Sequence, residues 1–318
     1  MTDTGPLFFS SGDLIADRRY KWAIEQAGRG DFVAAADILT QTVELAPTFA
    51  TAWFALGAIR DRLGDRDGAI AAFAKAQDHD PDDYHGARLQ LARLDAGSAT
   101  PAMSDAYVRR LFDQYAGRYD TALTERLAYR GPALLREAVQ AAMRKAGRPF
   151  HFANLLDLGC GTGLAAAAFR PLADRITGVD LSPAMLAQAQ SKNLYDRLVT
   201  ADIDDFLVAE AASGATYDLV LAADVLVYVN NLAPIATAVA RVVSPAGLFA
   251  FTVETHTGEG VKLLPTLRYA YAEDYIRRTL TAAGLQPASV SSAAVRREKG
   301  VPVAGLVVVA KAPSAGQT

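Results

Sequence analysis

The chain has a single cysteine, Cys160, so it cannot close an intramolecular disulfide and must be held together by apolar burial. It has no basic excess either. Thirty-two Lys and Arg face thirty-five Asp and Glu, a net charge of -3, which leaves no cationic stripe to neutralise a nucleic-acid backbone or an anionic membrane surface. Apolar runs are broken by Asp, Arg or Pro before they reach transmembrane length. The opening MTDTGPLFFS lacks the basic segment and apolar core of a signal peptide, and a cytoplasmic placement is expected. With no HExxH, no clustered cysteines and no carboxylate-imidazole spacing suited to a ligand set, no metal is expected.

What the chain does have is apolar residues, 51% of 318, enough for a sizeable core and for two domains. Its first hundred residues repeat. Gly30-Asp31, Ala35 and Pro47 recur as Gly64-Asp65, Ala69 and Pro81, each 34 residues later. That is the tetratricopeptide period, in which paired helices must stack on neighbours to bury their apolar faces. Trp53, Leu56 and Gly57 mark one helix of the second repeat, and Ala69, Phe73 and Ala76 the other. DDYHGARLQLARL then supplies a closing helix, and GSATPAM a junction. The expected layout is a tail over 1–15, repeats over 16–97, a linker over 98–104, a helical entrance segment over 105–150 and a core over 151–318. The repeats can bind a protein partner, pair two copies of the chain or pack as a structural cap.

The core begins with FANLLDLGCGTG, a buried-strand pattern ending in a glycine turn, followed by a helical TGLAAAAFRPLA. Strands are expected at 152–158, 176–180, 197–201, 217–223, 247–254, 286–294 and 303–310, with helices between them. Gly159, Gly161 and Gly163 let a ligand approach the backbone, and the following helix start favours an anion or an amino-acid carboxylate. Asp157 beside them can accept from an ammonium group or close a local turn. Asp180 stands 21 residues after Gly159 in ITGVDLS, where a carboxylate can accept both ribose hydroxyls of a nicotinamide or adenosyl nucleotide. Met185 can cover a purine or fill a core, and Asp202 can accept the adenine amino group or cap a helix.

Taken in order, LLDLGCGTG, GVDLSPAML, TADIDDF and YDLVLAADVLVYV resemble a class I methyltransferase dependent on S-adenosylmethionine (SAM), of the small-molecule type 11/12 kind. The resemblance implies an α/β fold, a seven-stranded doubly wound sheet of order 3-2-1-4-5-7-6 whose last strand is antiparallel, preceded by the small helical repeat domain. It implies that Asp157, Gly159, Cys160 and Gly161 line the methionine end of SAM. Asp180 would bind ribose with Leu181 beside it, Met185 would pack on adenine, Asp202 and Ile203 would read its edge, and Ala222 would lie near the cofactor. LFDQYAGRYDTALTERLAYRGP resembles the FDxYAxxYDxxL entrance of some small-molecule methyltransferases, with Tyr115 and Tyr119 approaching SAM and Arg130 reaching the methionine carboxylate or the substrate.

Asp224, Tyr228, Glu254 and His256 follow strands whose carboxyl ends should meet over the cleft. His256 is the candidate base for a hydroxyl acceptor. Asp224 or Glu254 can orient it, and Asp224 and Tyr228 can line the cleft. Arg268, Tyr269 and Tyr271 either wall the substrate or pack and solvate the last helix. The expected reaction is methyl transfer to an oxygen or nitrogen of a small metabolite, giving S-adenosylhomocysteine (SAH). The alternatives are a protein acceptor recruited by the repeats, a SAM-binding scaffold without turnover, and an NAD(P)-linked oxidoreductase.

Overall fold

The computed structural model describes residues 8–98, 103–121, 123 and 127–314. The junction expected at 98–104 lies in large part outside them. Two compact units are present: Met1–Tyr107 with Pro265–Leu267, and Val108–Leu264 with Arg268–Thr318. No helix among the described residues is long and apolar enough to cross a membrane.

The first unit is built from α1 (Leu14–Gly28), α2 (Phe32–Leu45), α3 (Ala50–Arg62), α4 (Arg66–Asp78) and α5 (Ala87–Arg93). The repeated Gly-Asp pair has the same job each time: Gly30 and Gly64 turn with positive φ, and Asp31 and Asp65 then cap the next helix. The Asp31 and Asp65 carboxylates accept the amides of Ala34 and Gly68 at 3.0 and 2.9 Å. Alanines at 35, 52, 69, 72 and 76 are buried, so the helices approach closely. The closing helix is shorter than its pattern predicts. It starts only at Ala87, because Gly86 sits at φ +76° and the preceding Asp80 is turned back onto the amide and ring of His85.

In the second unit α6 (Asp105–Tyr115) and the short α7 (Tyr119–Thr121) form the entrance segment, and α8 (Gly131–Lys145) leads into the sheet. Its strands are β1 (Phe152–Leu158), β2 (Ala173–Asp180), β3 (Arg197–Thr200), β4 (Tyr217–Ala222), β5 (Val243–Thr255), β6 (Val261–Leu263), β7 (Tyr269–Tyr271), β8 (Gln286–Glu298) and β9 (Val301–Lys311). The helices α9 (Leu164–Phe169), α10 (Pro183–Ser191), α11 (Ile203–Ser213), α12 (Ala233–Val242) and α13 (Glu273–Ala282) connect them.

The main path runs β3-β2-β1-β4-β5, continued by β9 and β8, with β9 antiparallel to both neighbours. That is the expected order and sense. The addition is a short β6–β7 hairpin whose second strand pairs parallel with β5 at Glu254 and Thr255, so nine strands replace the seven expected. Buried residues alternate along β5. Leu248 and Ala250 join Leu135, Val139, Phe152, Leu219 and Val309 in one core layer. Phe249 and Phe251 lie at the other face, in a lining shared with Ile235, Ile276 and Leu280.

Gly57 supports a prediction about the repeats. A Cβ built there would stand 2.7 Å from the fully buried ring of Phe73. Gly57→Ala should therefore destabilise the repeat unit by about 1–3 kcal/mol through overpacking. Both tryptophans of the chain, Trp22 and Trp53, lie in this unit, so their fluorescence through urea unfolding reads the effect directly; an unshifted midpoint would contradict it.

Candidate functional site

Parallel strands deliver their loops to one edge of the sheet, and the glycine turn after β1 is the centre of that edge. Gly159 has φ +61°, and a Cβ there would lie 2.3 Å from Val225, so the loop is seated against the segment after β4. Gly161 has φ +53° and open space where its side chain would be, with Tyr119 the nearest group at 3.9 Å. The turn is held from β2: Cys160 donates its amide to Val179 at 2.9 Å, and Gly161 donates to the Asp180 carboxylate at 2.8 Å. The other Asp180 oxygen accepts the Ser182 amide at 2.8 Å. The Leu181 backbone adds a third donor, and of the roughly four lone-pair sites of a carboxylate one is left for a further donor.

Asp157 is 1% exposed at the end of β1. Its Oδ2 accepts the Tyr195 hydroxyl at 2.7 Å, whereas its Oδ1 is buried with no partner. Burial pushes the carboxyl up to about 7, with the Tyr195 bond opposing and the Asp180 charge adding to the rise. Such an orphaned acceptor, beside a turn open to close approach, fits a cationic donor such as an ammonium group. Cys160 is buried, its thiol pushed up by burial and by the neighbouring Asp157 and Asp180 charges, and it has no thiolate character to offer.

The entrance segment is tied down by two aspartates that sequence reasoning did not single out, Asp113 and Asp120. Ser182 donates its hydroxyl to Asp113 at 2.5 Å and also accepts the Met185 amide at 3.1 Å, linking α6 to the start of α10. Asp120 accepts from the Thr162 hydroxyl and from Lys192. Both aspartates stand inside the FDxYAxxYDxxL pattern, and that spacing was the available signal. Tyr119 is thereby placed over the turn, where it lines a recess together with Tyr129, Asp157, Gly159, Thr162 and Ala223. Burial, with acidic neighbours, drives the Tyr119 and Tyr129 phenols well above their usual range, so both stay protonated.

The remaining expected residues divide. Met185 is fully buried at the start of α10, and Ala222 is fully buried at the end of β4. Leu181 and Ile203 are half-buried. Asp202 caps α11, its Oδ1 accepting from Asp204 and Asp205 at 2.8 and 3.3 Å, which leaves Oδ2 for an adenine edge. Tyr115 is half-buried with the Arg118 guanidinium 5.6 Å over its ring, and it is not among the residues of the recess. Arg130 has a side chain that is 61% exposed and faces Glu137 at 4.0 Å, so its charge is largely solvated, and it lines a cavity with Tyr129 and Leu164.

His256 is bonded within a local turn. Its Nδ1 accepts the Gly258 amide at 3.0 Å and its Nε2 faces the Gly260 carbonyl at 3.3 Å. Both ring nitrogens are occupied in their own turn, and neither is presented as a base. Tyr269 and Tyr271 are fully buried, with the Tyr271 hydroxyl donated to the Leu226 carbonyl at 2.7 Å, so they pack rather than wall a substrate.

Asp224 is bound by a residue that the sequence reading missed. Arg296 on β8 donates both contacts of one nitrogen to Asp224, at 2.7 and 2.9 Å, and another to Glu254. Arg268 joins Glu254 at 3.1 Å and Glu298 at 2.5 Å. No local motif announces this cluster, because its members come from four separated strands and loops. Tyr228 lies beside it, edge-on to Phe112 at 5.1 Å.

Comparison with known proteins finds likenesses over both parts of the chain. A family model described as a methyltransferase domain matches residues 156–251, and one described as a tetratricopeptide repeat matches 26–94. Methyltransferase-like protein 27 of Homo sapiens is 39% identical over 101 residues, 31% of this chain and 39% of that protein. Cellulose synthase 2 operon protein C of Komagataeibacter xylinus is 44% identical over 119 residues, 32% of this chain and 9% of that protein. The chain therefore spans well under half of either relative. Among solved structures, the Burkholderia thailandensis 1,6-didemethyltoxoflavin-N1-methyltransferase is 22% identical with a TM-score of 0.49, covering 65% of this chain and 88% of that one. The stretch that matches the methyltransferase-domain model includes the glycine turn, Asp157 and Asp180, and the stretch that matches the tetratricopeptide model spans most of the helical first unit.

Proposed function

We propose that the protein is a SAM-dependent methyltransferase acting on an oxygen or nitrogen of a small organic metabolite. The observation that carries this reading is the orphaned, buried Oδ1 of Asp157 beside the open Gly161 turn, with Asp180 holding that turn from β2. In this reading Asp157 takes the ammonium group of SAM, Asp180 accepts its ribose hydroxyls, Met185 and Asp202 meet the adenine, and Tyr119 covers the site. SAM supplies an electrophilic methyl on a positively charged sulfur. The chain's own work is to bind it, exclude water and align an acceptor behind the methyl, and alignment alone contributes several orders of magnitude.

A recess walled by Tyr119 and Tyr129, under a segment pinned by Asp113 and Asp120, favours a small acceptor over a polypeptide. Purified protein incubated with methyl-labelled SAM and cell extract should place label in a discrete small molecule. Label confined to protein would overturn the reading and make the repeats a recruitment surface.

Asp157 gives the pH dependence. An ammonium ligand selects its ionised form, so affinity for SAH should fall as pH drops below about 7, with a proton released on binding near that pH. In the free protein the sign reverses, since the buried carboxyl is raised from 3.8: its neutral form favours folding, and that stability is lost as pH rises toward about 7. Asp157→Asn should weaken SAH binding about 10- to 100-fold and abolish the proton release, both read by calorimetry in buffers of different ionisation enthalpy.

A further inference from the structure

The rim above the recess is more heavily charged than the cofactor requires. Asp224 is the second residue after β4, next to Ala223, which lines the recess. It is held in the left-handed region at φ +58°, its amide donating to the Thr252 hydroxyl at 2.9 Å, and its carboxylate is clamped by Arg296. A strained non-glycine backbone and a buried ion pair both work against stability, and together they fix one carboxylate in one orientation. Its neighbour Ala223 lines the recess with Tyr119 and Tyr129, so Asp224 adjoins the wall those phenols share.

The charges of this rim discriminate between acceptors. Arg268 and Arg296 are 6% and 3% exposed and are already bound to Glu254, Glu298 and Asp224, so an acceptor carboxylate or phosphate meets no unengaged guanidinium there. Around the recess three carboxylates gather, Asp157, Asp180 and Asp224, with Arg296 the opposing charge. A hydroxyl acceptor would need a base. Of the four histidines, His79 and His85 belong to the repeat unit, His151 pairs with Asp174 beside the opposite edge of the sheet, and His256 is occupied in its turn. The Tyr119, Tyr129 and Tyr228 phenols stay protonated, so none of them supplies a phenolate base.

We infer that the acceptor atom is an amine nitrogen and that Asp224, positioned by Arg296, is the carboxylate that binds its N–H. This rests on the methyl-transfer reading above and narrows its acceptor. The nitrogen lone pair forms the N–C bond as the S–C bond breaks, its electrons remaining on sulfur. The positive charge passes from sulfur to nitrogen, and the N–H proton leaves to solvent when the product is released. The charge therefore grows beside Asp224 in the transition state, where a fixed carboxylate stabilises it more than in the ground state. An anionic acceptor would instead lose charge there, and the same carboxylate would oppose its entry.

The test uses the intact protein, methyl-labelled SAM and a desalted metabolite extract, with the labelled small molecule isolated. The expected product is retained on a cation exchanger and keeps its label in alkali. A methyl ester, which releases labelled methanol in alkali, or an uncharged ether would overturn the inference while leaving methyl transfer standing. The absence of any labelled small molecule would overturn the underlying reading itself. With the product in hand, Asp224→Asn should lower kcat about 100-fold while SAH affinity stays within about twofold. Asp224→Glu, which keeps the charge for Arg296 if the amide variant fails to fold, should also lower kcat with SAH affinity retained. Arg296→Lys should give a smaller loss of the same kind. Unchanged turnover in Asp224→Glu, or a loss that falls on SAH affinity instead, would overturn the role of Asp224.

Discussion

The two oxygens of Asp180 hold the cofactor edge of this protein together. One binds the Gly161 amide and so sets the turn after β1; the other binds the Ser182 amide and so sets the start of α10. Ser182 passes the constraint on, accepting from Met185 and donating to Asp113, which brings the entrance segment down over the turn. A single carboxylate at a strand end thus fixes the approach of three segments that are distant in sequence. Burial pushes its carboxyl upward while the Ser182 and Gly161 amides draw it back, so the backbone donors supply much of what solvent has lost.

The cleft is electrostatically lopsided. Asp157 and Asp180 face it with acceptor capacity left over, which suits a ligand carrying an ammonium group and a ribose. Across it, Asp224, Glu254, Arg268, Arg296 and Glu298 form a network in which each guanidinium is satisfied by carboxylates. Buried networks of this kind contribute little to stability against an apolar alternative, because desolvation offsets most of the Coulomb attraction. Their value lies in fixing directions, and here the fixed group is the Asp224 carboxylate.

The two units reflect different uses of the same material. In the repeats, alanines and a Gly57–Phe73 contact let helices approach closely, and capping aspartates recur with the period. In the second unit the apolar alternation of β5 fills both faces of a parallel sheet. Its carboxyl edge is then left to glycine, carboxylate and tyrosine.

Local pattern was enough to read the 34-residue repeat, the strand order, the glycine turn and the placement of Asp157 and Asp180, because each depends on neighbours in the chain. Backbone turns, helix caps and the alternation of apolar residues are short-range, and short-range signals survive in sequence. The β6–β7 hairpin was missed because its strands are only three residues each and owe their pairing to β5. The surroundings of His256 and Arg130 were not legible for the related reason that reach depends on where a side chain points: one is bonded within its own loop and the other is largely exposed beside Glu137. Asp113, Asp120, Tyr195 and Arg296 gained their roles only when folding brought α6, α7, the segment before β3 and β8 to their partners Ser182, Thr162, Asp157 and Asp224. By itself the sequence determined the architecture and the carboxyl edge of the sheet at which the glycine turn lies. Which charges met above that edge was decided by tertiary structure, because ion pairs between distant strands leave no periodicity to read.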